Sequence, residues 1–274
     1  MNKLDREARA KILHLLCEGS SIRAITRLTG ASKNTVIKLV VDAGKAASWY
    51  QDRVFRNLTC KRLQVDEIWN FVYAKQKNVA KAKAAPANAG DVWTWTSIDA
   101  DTKIMPSWFV GGRDSDSAII FMDDLASRLA SRVQLTSDGH RSYLEAVEGA
   151  FGCDIDYAML VKIYGASSEN PESRYSPATC IGCRTGVLSG NPDNDHISTS
   201  FVERQNLSMR MGMRRLTRLT NGFSKKLENH GHMVALYFMH YNFCRVHKTL
   251  RVTPAMEAGL TDHVWDLEEL IGLI

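Results

Sequence analysis

Helical periodicity is clearest in the stretch 200–219, where charged and apolar side chains separate onto two stripes. At 3.6 residues per turn, one stripe holds Glu203, Leu207, Arg210 and Arg214. A separate apolar stripe holds Val202, Met209, Met213 and Leu216. Thr199 or Ser200 is available as the N-cap. The pattern predicts an amphipathic helix, and the alternative to a functional role is an ordinary helix with a solvated charged face.

The first 45 residues have the spacing of three short helices. Apolar positions predict helices over 5–17, 22–29 and 33–43, each followed closely by a glycine that can end it. Two short helices joined by a tight turn after an initial helix are typical of a helix-turn-helix, whose last helix meets the major groove. The residues at the start of that helix that could contact bases or phosphates are Ser32, Lys33, Asn34, Thr35 and Lys38. A three-helix bundle with a structural or dimerising role is the alternative.

From residue 62 onward, strand patterns replace helical ones. Runs rich in β-branched and aromatic residues predict five strands, over 62–73, 92–98, 103–110, 132–136 and 156–163. Helical spacing follows the third and fourth strands, over 115–129 and 143–151, while the polar stretch 165–199 shows no regular element. Three strands in a meander followed by alternating helices and strands give the connectivity of a ribonuclease-H-like fold. We therefore expect an α/β protein with a mixed five-stranded sheet.

These elements divide the chain into four predicted parts. An N-terminal all-α helix-turn-helix domain covers 1–45, and a helical connector covers 46–61. The ribonuclease-H-like domain covers 62–260 with a loop insertion around 165–199, and a C-terminal tail covers 261–274.

Charge and composition narrow the class of partner. Residues 1–65 and 201–251 each carry a net charge of +8, whereas 66–200 carry −6 and the whole chain +5. Two basic segments that flank an acidic one suit a protein that binds a polyanion. Six cysteines in 274 residues do not indicate a disulfide scaffold, no apolar run is long enough to cross a membrane, and the first residues lack the apolar core of a signal peptide. We expect a cytoplasmic protein with no membrane partner.

Three acids occupy positions from which they could converge. Asp66 lies in the first strand, Asp138 follows the fourth, and Glu203 lies at the start of the helix 200–219. Converging carboxylates repel one another unless a cation compensates them, and ligand sets made only of oxygen suit Mg²⁺ or Mn²⁺. Two such ions about 3.5–4 Å apart can activate a water or a 3′-hydroxyl for attack at phosphorus.

Other acids compete for these roles. Glu67 should point to the opposite sheet face from Asp66, so that at most one of the two enters the site. Asp138 could be only a turn residue, and Asp99 and Asp101 are better explained as turn residues than as ligands. His140 could position a phosphate or a water, or could be a surface histidine.

The stretch 165–199 also contains Cys180, Cys183 and His196. A single Cys-x-x-Cys supplies two of the four ligands that zinc needs, so an ordinary thiol-bearing loop is the preferred interpretation.

Four segments of the chain resemble DDE transposases of bacterial and archaeal insertion sequences, specifically the insertion-sequence-one type. They are Val65–Trp69, Thr136–Tyr143, Thr199–Arg210 and Tyr241–Ala255, the last similar to a segment that follows the acid helix in retroviral-integrase-like enzymes. The resemblance implies that Asp66, Asp138 and Glu203 are the catalytic, metal-binding triad. It also implies that Arg210, with Arg214 on the same stripe, contacts terminal DNA.

That family cleaves the ends of a mobile element and transfers the exposed 3′-hydroxyls to target DNA. The resemblance therefore implies a DNA transposase with Mg²⁺ or Mn²⁺, a double-stranded DNA partner and a homo-oligomer on DNA, at the nucleoid. The competing hypothesis is a helix-turn-helix regulator whose second domain only binds or dimerises. It predicts that the three acids do not converge.

Overall fold

A six-stranded mixed sheet lies at the centre of the protein. The computed structural model describes residues 4–165, 179–217 and 220–274. The strands are β1 (Arg62–Val72), β2 (Gly90–Asp99), β3 (Trp108–Gly111), β4 (Gln134–Ser137), β5 (Asp156–Tyr164) and β6 (Cys180–Ser189). Their order across the sheet is β3-β2-β1-β4-β5-β6. The pairs β1–β4 and β4–β5 are parallel, and the other three pairs are antiparallel.

The sixth strand corrects the prediction of five. Strand β6 lies within 165–199, where no regular element is predicted, and it extends the sheet by pairing with β5. Most of its side chains are exposed on both faces, including Ile181, Val187 and Leu188. A strand with no buried face needs no alternation of apolar and polar residues, and for this reason the sequence pattern does not predict β6. Of the predicted loop, residues 166–178 lie outside the described part of the chain.

Helices cover both faces of the sheet. They are α1 (Arg6–Cys17), α2 (Ile22–Thr29), α3 (Lys33–Val54), α4 (Gln76–Val79), α5 (Ser115–Arg128), α6 (Ser142–Phe151), α7 (Ser200–Gly212), α8 (Leu227–Met239), α9 (Pro254–Glu257) and α10 (Leu267–Gly272). Trp95 of β2 contacts rings of α5 and α6, whereas its neighbour Thr96 bonds to Asn206 of α7. Because consecutive strand residues point to opposite faces, α5 and α6 lie on one face and α7 on the other. No helix of the described ranges has the length and apolarity needed to cross a membrane.

The start of the third N-terminal helix agrees with its prediction, but its end does not. Ser32 caps α3 by accepting from the Thr35 amide at 3.1 Å, as its position predicts. The predicted stop at Gly44 is wrong, because α3 continues through it to Val54 and includes half of the predicted connector. A Cβ atom at Gly44 would lie 2.6 Å from the Cα of His232 in α8. The glycine therefore allows two helices to approach closely rather than ending one, and a domain boundary at 45 would fall inside a helix.

Part of the predicted C-terminal tail, 261–274, packs into the core. Leu267, Leu270 and Ile271 of α10 are buried, and α10 packs against α1. The guanidinium of Arg6 in α1 donates to the carbonyl of Glu268 at 2.7 Å. One hydrophobic cluster thus joins the N-terminal helices, the sheet and the C-terminal helices.

Candidate active site

Asp66 and Asp138 are brought together by the parallel pairing of β1 and β4. The last paired residues of the two strands are Gln64 and Thr136, and each aspartate lies two residues further along the chain, Asp66 within β1 and Asp138 just past the end of β4. The two side chains therefore leave neighbouring strands at the same level, at the carboxyl end of β4, where sites in open sheets are usually built. A carboxylate oxygen from each of Asp66, Glu67 and Asp138 lies within 4.8 Å of the others.

The presence of Glu67 in this group corrects the prediction that Asp66 and Glu67 cannot both reach the site. Strand β4 ends at Ser137, whereas β1 continues to Val72. Beyond residue 137, no β4 backbone separates the two faces of the sheet, and the Glu67 carboxylate reaches Asp138 from its own face. Arg113 spans the same gap, with its Nε 3.2 Å from Glu67 Oε2 and its Nη2 4.0 Å from Asp138 Oδ2.

Asp66 and Glu67 are buried enough to disfavour their charged forms. Burial, followed by the nearby Asp138 carboxylate, raises the pKa of Asp66 to about 6. Two hydrogen bonds oppose the rise, from the Glu67 amide at 2.8 Å and from the Asn206 amide group at 2.9 Å. Burial also raises the pKa of Glu67 to about 7, while the Tyr143 hydroxyl opposes the rise.

The donor set fits a hard divalent cation. Only 1% of the Glu67 side chain is exposed. Its Oε1 lies beside the Tyr143 hydroxyl, but no donor of the described residues is well aligned with it. A buried carboxylate oxygen next to two further carboxylates is a site that a cation would stabilise. Oxygen ligands of this kind suit Mg²⁺ or Mn²⁺.

Glu203 faces the same cleft but not the same carboxylate group. Its Oε1 lies 2.5 Å from the ammonium of Lys162 and accepts from the Thr199 hydroxyl at 2.6 Å, and its Oε2 also contacts Lys162. The cleft has a volume of about 550 Å³ and is lined by Asp66, Arg113, Asp138, Gly139, His140, Leu160, Val161, Lys162, Tyr164, Thr199 and Glu203. The structure thus brings two predicted acids together and places the third on the cleft wall, neutralised by a lysine.

Two polar residues that the sequence interpretation missed hold α7 against β1. The Gln64 side chain accepts from the amides of Phe201 and Val202 at 2.8 and 3.2 Å, and so caps α7 in place of the predicted Thr199 or Ser200. Asn206 donates to Asp66 at 2.9 Å and accepts from the Thr96 hydroxyl at 3.2 Å. A signal was present, because each is an amide side chain in a mostly apolar buried pattern.

Helix α7 ends earlier than predicted, at Gly212 rather than at residue 219. A 3₁₀ turn over Arg214–Leu216 follows, and residues 218 and 219 lie outside the described ranges. Gly212 packs so closely that a Cβ there would lie 3.1 Å from the carbonyl oxygen of Cys17 in α1. The predicted apolar stripe is confirmed as buried and consists of Val202, Met209, Met213 and Leu216.

The predicted DNA-contacting arginines occupy different settings. Arg210 lies near the end of α7, and its guanidinium donates to the carbonyls of Leu216 and Trp69 at 3.2 and 3.3 Å. Arg214 is half-buried in the 3₁₀ turn rather than on the helix. Arg210 therefore also fastens the end of α7 to β1, and contact of either residue with DNA stays a prediction.

The predicted groove-reading residues all lie on the surface at the start of α3. Ser32, Lys33, Asn34, Thr35 and Lys38 are exposed. The hydroxyls of Ser32 and Thr35 are 2.9 Å apart, and Lys38 forms an ion pair with Asp42 at 2.5 Å. Their contact with DNA also stays a prediction.

The remaining predicted candidates are Asp99, Asp101 and His140, and each forms a polar contact. Asp99 accepts from the amide of Thr102 at 2.9 Å, which confirms it as a turn residue, and Asp101 pairs with Arg62. His140 lines the cleft and its amide donates to Asp138 at 2.9 Å.

Strand β6 carries the two cysteines, Cys180 and Cys183, and both are exposed. His196 pairs with Asp193 at 2.7 Å.

Comparison with known proteins gives a distant structural likeness. No protein-family model matches the chain, and no curated protein matches it. The chain is similar to the solved cryo-EM structure of a piggyBac transposase synaptic complex with hairpin DNA, at 11% sequence identity and a TM-score of 0.39, covering 100% of this chain and 71% of that one. A likeness of that degree decides neither fold nor function.

Proposed function

We propose that this protein is a DNA transposase of the DDE type, a metal-dependent enzyme that cleaves and joins DNA strands. The observation that carries the proposal is the meeting of Asp66, in β1, and Asp138, just after the neighbouring parallel strand β4, in a cleft that Glu203 also lines. Carboxylates arranged in this way on an open cleft suit phosphoryl transfer assisted by metal ions.

Asp66 and Asp138 would hold Mg²⁺ or Mn²⁺, with Glu203 completing the set for two ions. Bound there, the ions would supply an activated water or 3′-hydroxyl and stabilise the leaving oxygen. The chain positions these ligands through Asn206, which holds Asp66, and through Gln64, which anchors the start of α7 close to Glu203. Arg113 and His140 line the same cleft and are placed to meet a phosphate.

Double-stranded DNA is the proposed substrate and partner. Ser32, Lys33, Asn34, Thr35 and Lys38 would contact the ends of the element in the major groove. Arg210 and Arg214 would contact DNA beside the cleft, with an affinity that falls steeply with salt. Joining two ends requires more than one active site, so we expect a homo-oligomer on DNA.

The competing function is a DNA-binding regulator with a helix-turn-helix and a non-catalytic second domain. That function gives no reason for Asp66, Glu67 and Asp138 to lie so close together at a cost in charge repulsion. Their proximity favours the enzyme.

The decisive experiment is a Mg²⁺-dependent cleavage assay on the DNA that flanks the gene in its source genome. Asp138→Asn should reduce strand cleavage by about 10³-fold or more and leave binding of the ends unchanged, because it removes a metal ligand from an open cleft. Asp123→Asn, an exposed aspartate of α5, is the matched control and should cleave normally. Cleavage by Asp138→Asn at the rate of the unaltered protein would rule out a catalytic role, and loss of binding would indicate a structural one.

A further inference from the structure

The cleft contains a positive charge that the proposed reaction does not use. Lys162 lies near the C-terminal end of β5, paired in register with Cys183 of β6. Its ammonium contacts both oxygens of Glu203, and the Thr199 hydroxyl donates to one of them at 2.6 Å. Both oxygens of the third acid are therefore already engaged.

The acidic cleft is thus divided into two unlike halves. Asp66, Glu67 and Asp138 approach one another, with Arg113 at their edge. Glu203 stands apart with a lysine as its counter-ion. A divalent cation entering the cleft meets three carboxylates that share one arginine on one side, and a carboxylate with its own lysine on the other.

We propose that Lys162 occupies the place of a second cation at Glu203 and leaves it for a phosphate of the DNA when the substrate binds. This inference rests on the proposed function, because it assigns the order in which the cleft is filled. The first ion is held by Asp66 and Asp138, with Glu67 available beside them. The site at Glu203 opens only with DNA in the cleft.

The physical basis is competition between like charges. A divalent ion and an ammonium group cannot share one carboxylate without strong repulsion. The Lys162–Glu203 pair is partly solvated, with side chains 29% and 40% exposed, and a solvated ion pair is weak enough to exchange. A lysine has a flexible stem and binds phosphate as a point charge, so its ammonium can move without movement of β5.

The consequence is a metal site that is incomplete until the substrate arrives. Lys162 is in this sense a positioning residue, since it sets the state of Glu203 in the free protein. In the complex it contributes one contact to the DNA backbone. In the absence of DNA, the second metal site would therefore stay empty, and the complete site that activates water would not form.

Titration of the metal-free full-length protein with Mn²⁺, followed by electron paramagnetic resonance, tests the proposal without an activity measurement. Without DNA, the unaltered protein should bind one ion tightly and a second one weakly. Lys162→Met should bind the second ion about tenfold more tightly, because the competing charge is gone. Lys162→Arg, which keeps the charge, should behave like the unaltered protein, and so should Lys77→Met, an exposed lysine of α4.

Addition of a duplex of the flanking DNA should raise the affinity of the unaltered protein for the second Mn²⁺ ion. The affinity of Lys162→Met for that ion should change by less than twofold. Equal affinity of the second site in the unaltered protein and in Lys162→Met would overturn this inference. If the unaltered protein binds no Mn²⁺, or binds it no more tightly than Asp66→Asn does, the proposed function is overturned instead. Thermal melting verifies that each variant is folded, and Lys162→Gln replaces the methionine variant if the latter does not fold.

Discussion

At the residue scale, the acidic group makes the metal-free protein sensitive to pH. The pKa of Asp66 is about 6 and that of Glu67 about 7, both above the ordinary values of 3.8 and 4.5. The unfolded chain therefore releases these protons at lower pH than the folded chain. Their contribution to stability is full below about pH 4 and is lost as pH rises through 6 and 7.

We therefore predict that, without metal, the protein unfolds more easily at pH 8 than at pH 5. A difference of about two in pKa corresponds to roughly 3 kcal/mol for one group, and this sets the scale of the effect. Urea unfolding across this pH range measures it, and Asp66→Asn should flatten the profile. Mg²⁺ should raise the melting temperature more at pH 8 than at pH 5, because only ionised carboxylates bind it. A pH profile identical in Asp66→Asn and the unaltered protein would contradict the assignment.

At the scale of elements, the contact between α3 and α8 depends on a missing side chain. Gly44 faces the backbone of His232 with no room for a Cβ atom. Gly44→Ala should destabilise the protein by about 1–3 kcal/mol in urea unfolding, because two packed helices would have to separate. The control is Gly149→Ala in α6, where an added Cβ meets nothing within 4 Å. That change should be neutral or stabilise the protein by up to about 1 kcal/mol, since alanine favours helix.

At the scale of the whole molecule, the proposal separates recognition of DNA from the chemistry. Lys33→Ala and Asn34→Ala change exposed residues at the start of α3, and neither residue lines the cleft. Each should weaken binding of the DNA ends. Lys33→Ala should also reduce the slope of the logarithm of the binding constant against the logarithm of salt concentration by about one. Cleavage at saturating DNA should be unchanged, with Lys77→Ala as the control. Lost cleavage at saturating DNA would mean that the N-terminal helices also shape the active site.

Much of the architecture could be predicted because its signals are local. Strands β1, β2, β4 and β5 have a buried face that leaves a pattern in the sequence, and Ser21 and Ser32 cap helices within their own turn. The buried stripe of α7 could be predicted for the same reason. These features follow from neighbours three or four residues away.

The errors occurred where a distant partner decides the outcome. Gly44 looks like a helix end until α8 is packed against it, and β6 is a strand because β5 offers an edge with which to pair. Glu67 points away from Asp66 by strand geometry, yet the early end of β4 lets it reach Asp138.

For the candidate site, the sequence alone determined which acids are available and the order in which they appear along the chain. The parallel register of β1 and β4 brings Asp66 beside Asp138, because each lies two residues beyond the last pair, Gln64 and Thr136. Only the tertiary structure decided that Glu203 is bound to Lys162, 41 residues away, since no local pattern specifies a pair between a strand and a later helix. The residue types therefore determine which chemistry is available. The side chains that folding brings beside each carboxylate determine whether it is paired, buried or exposed to the cleft.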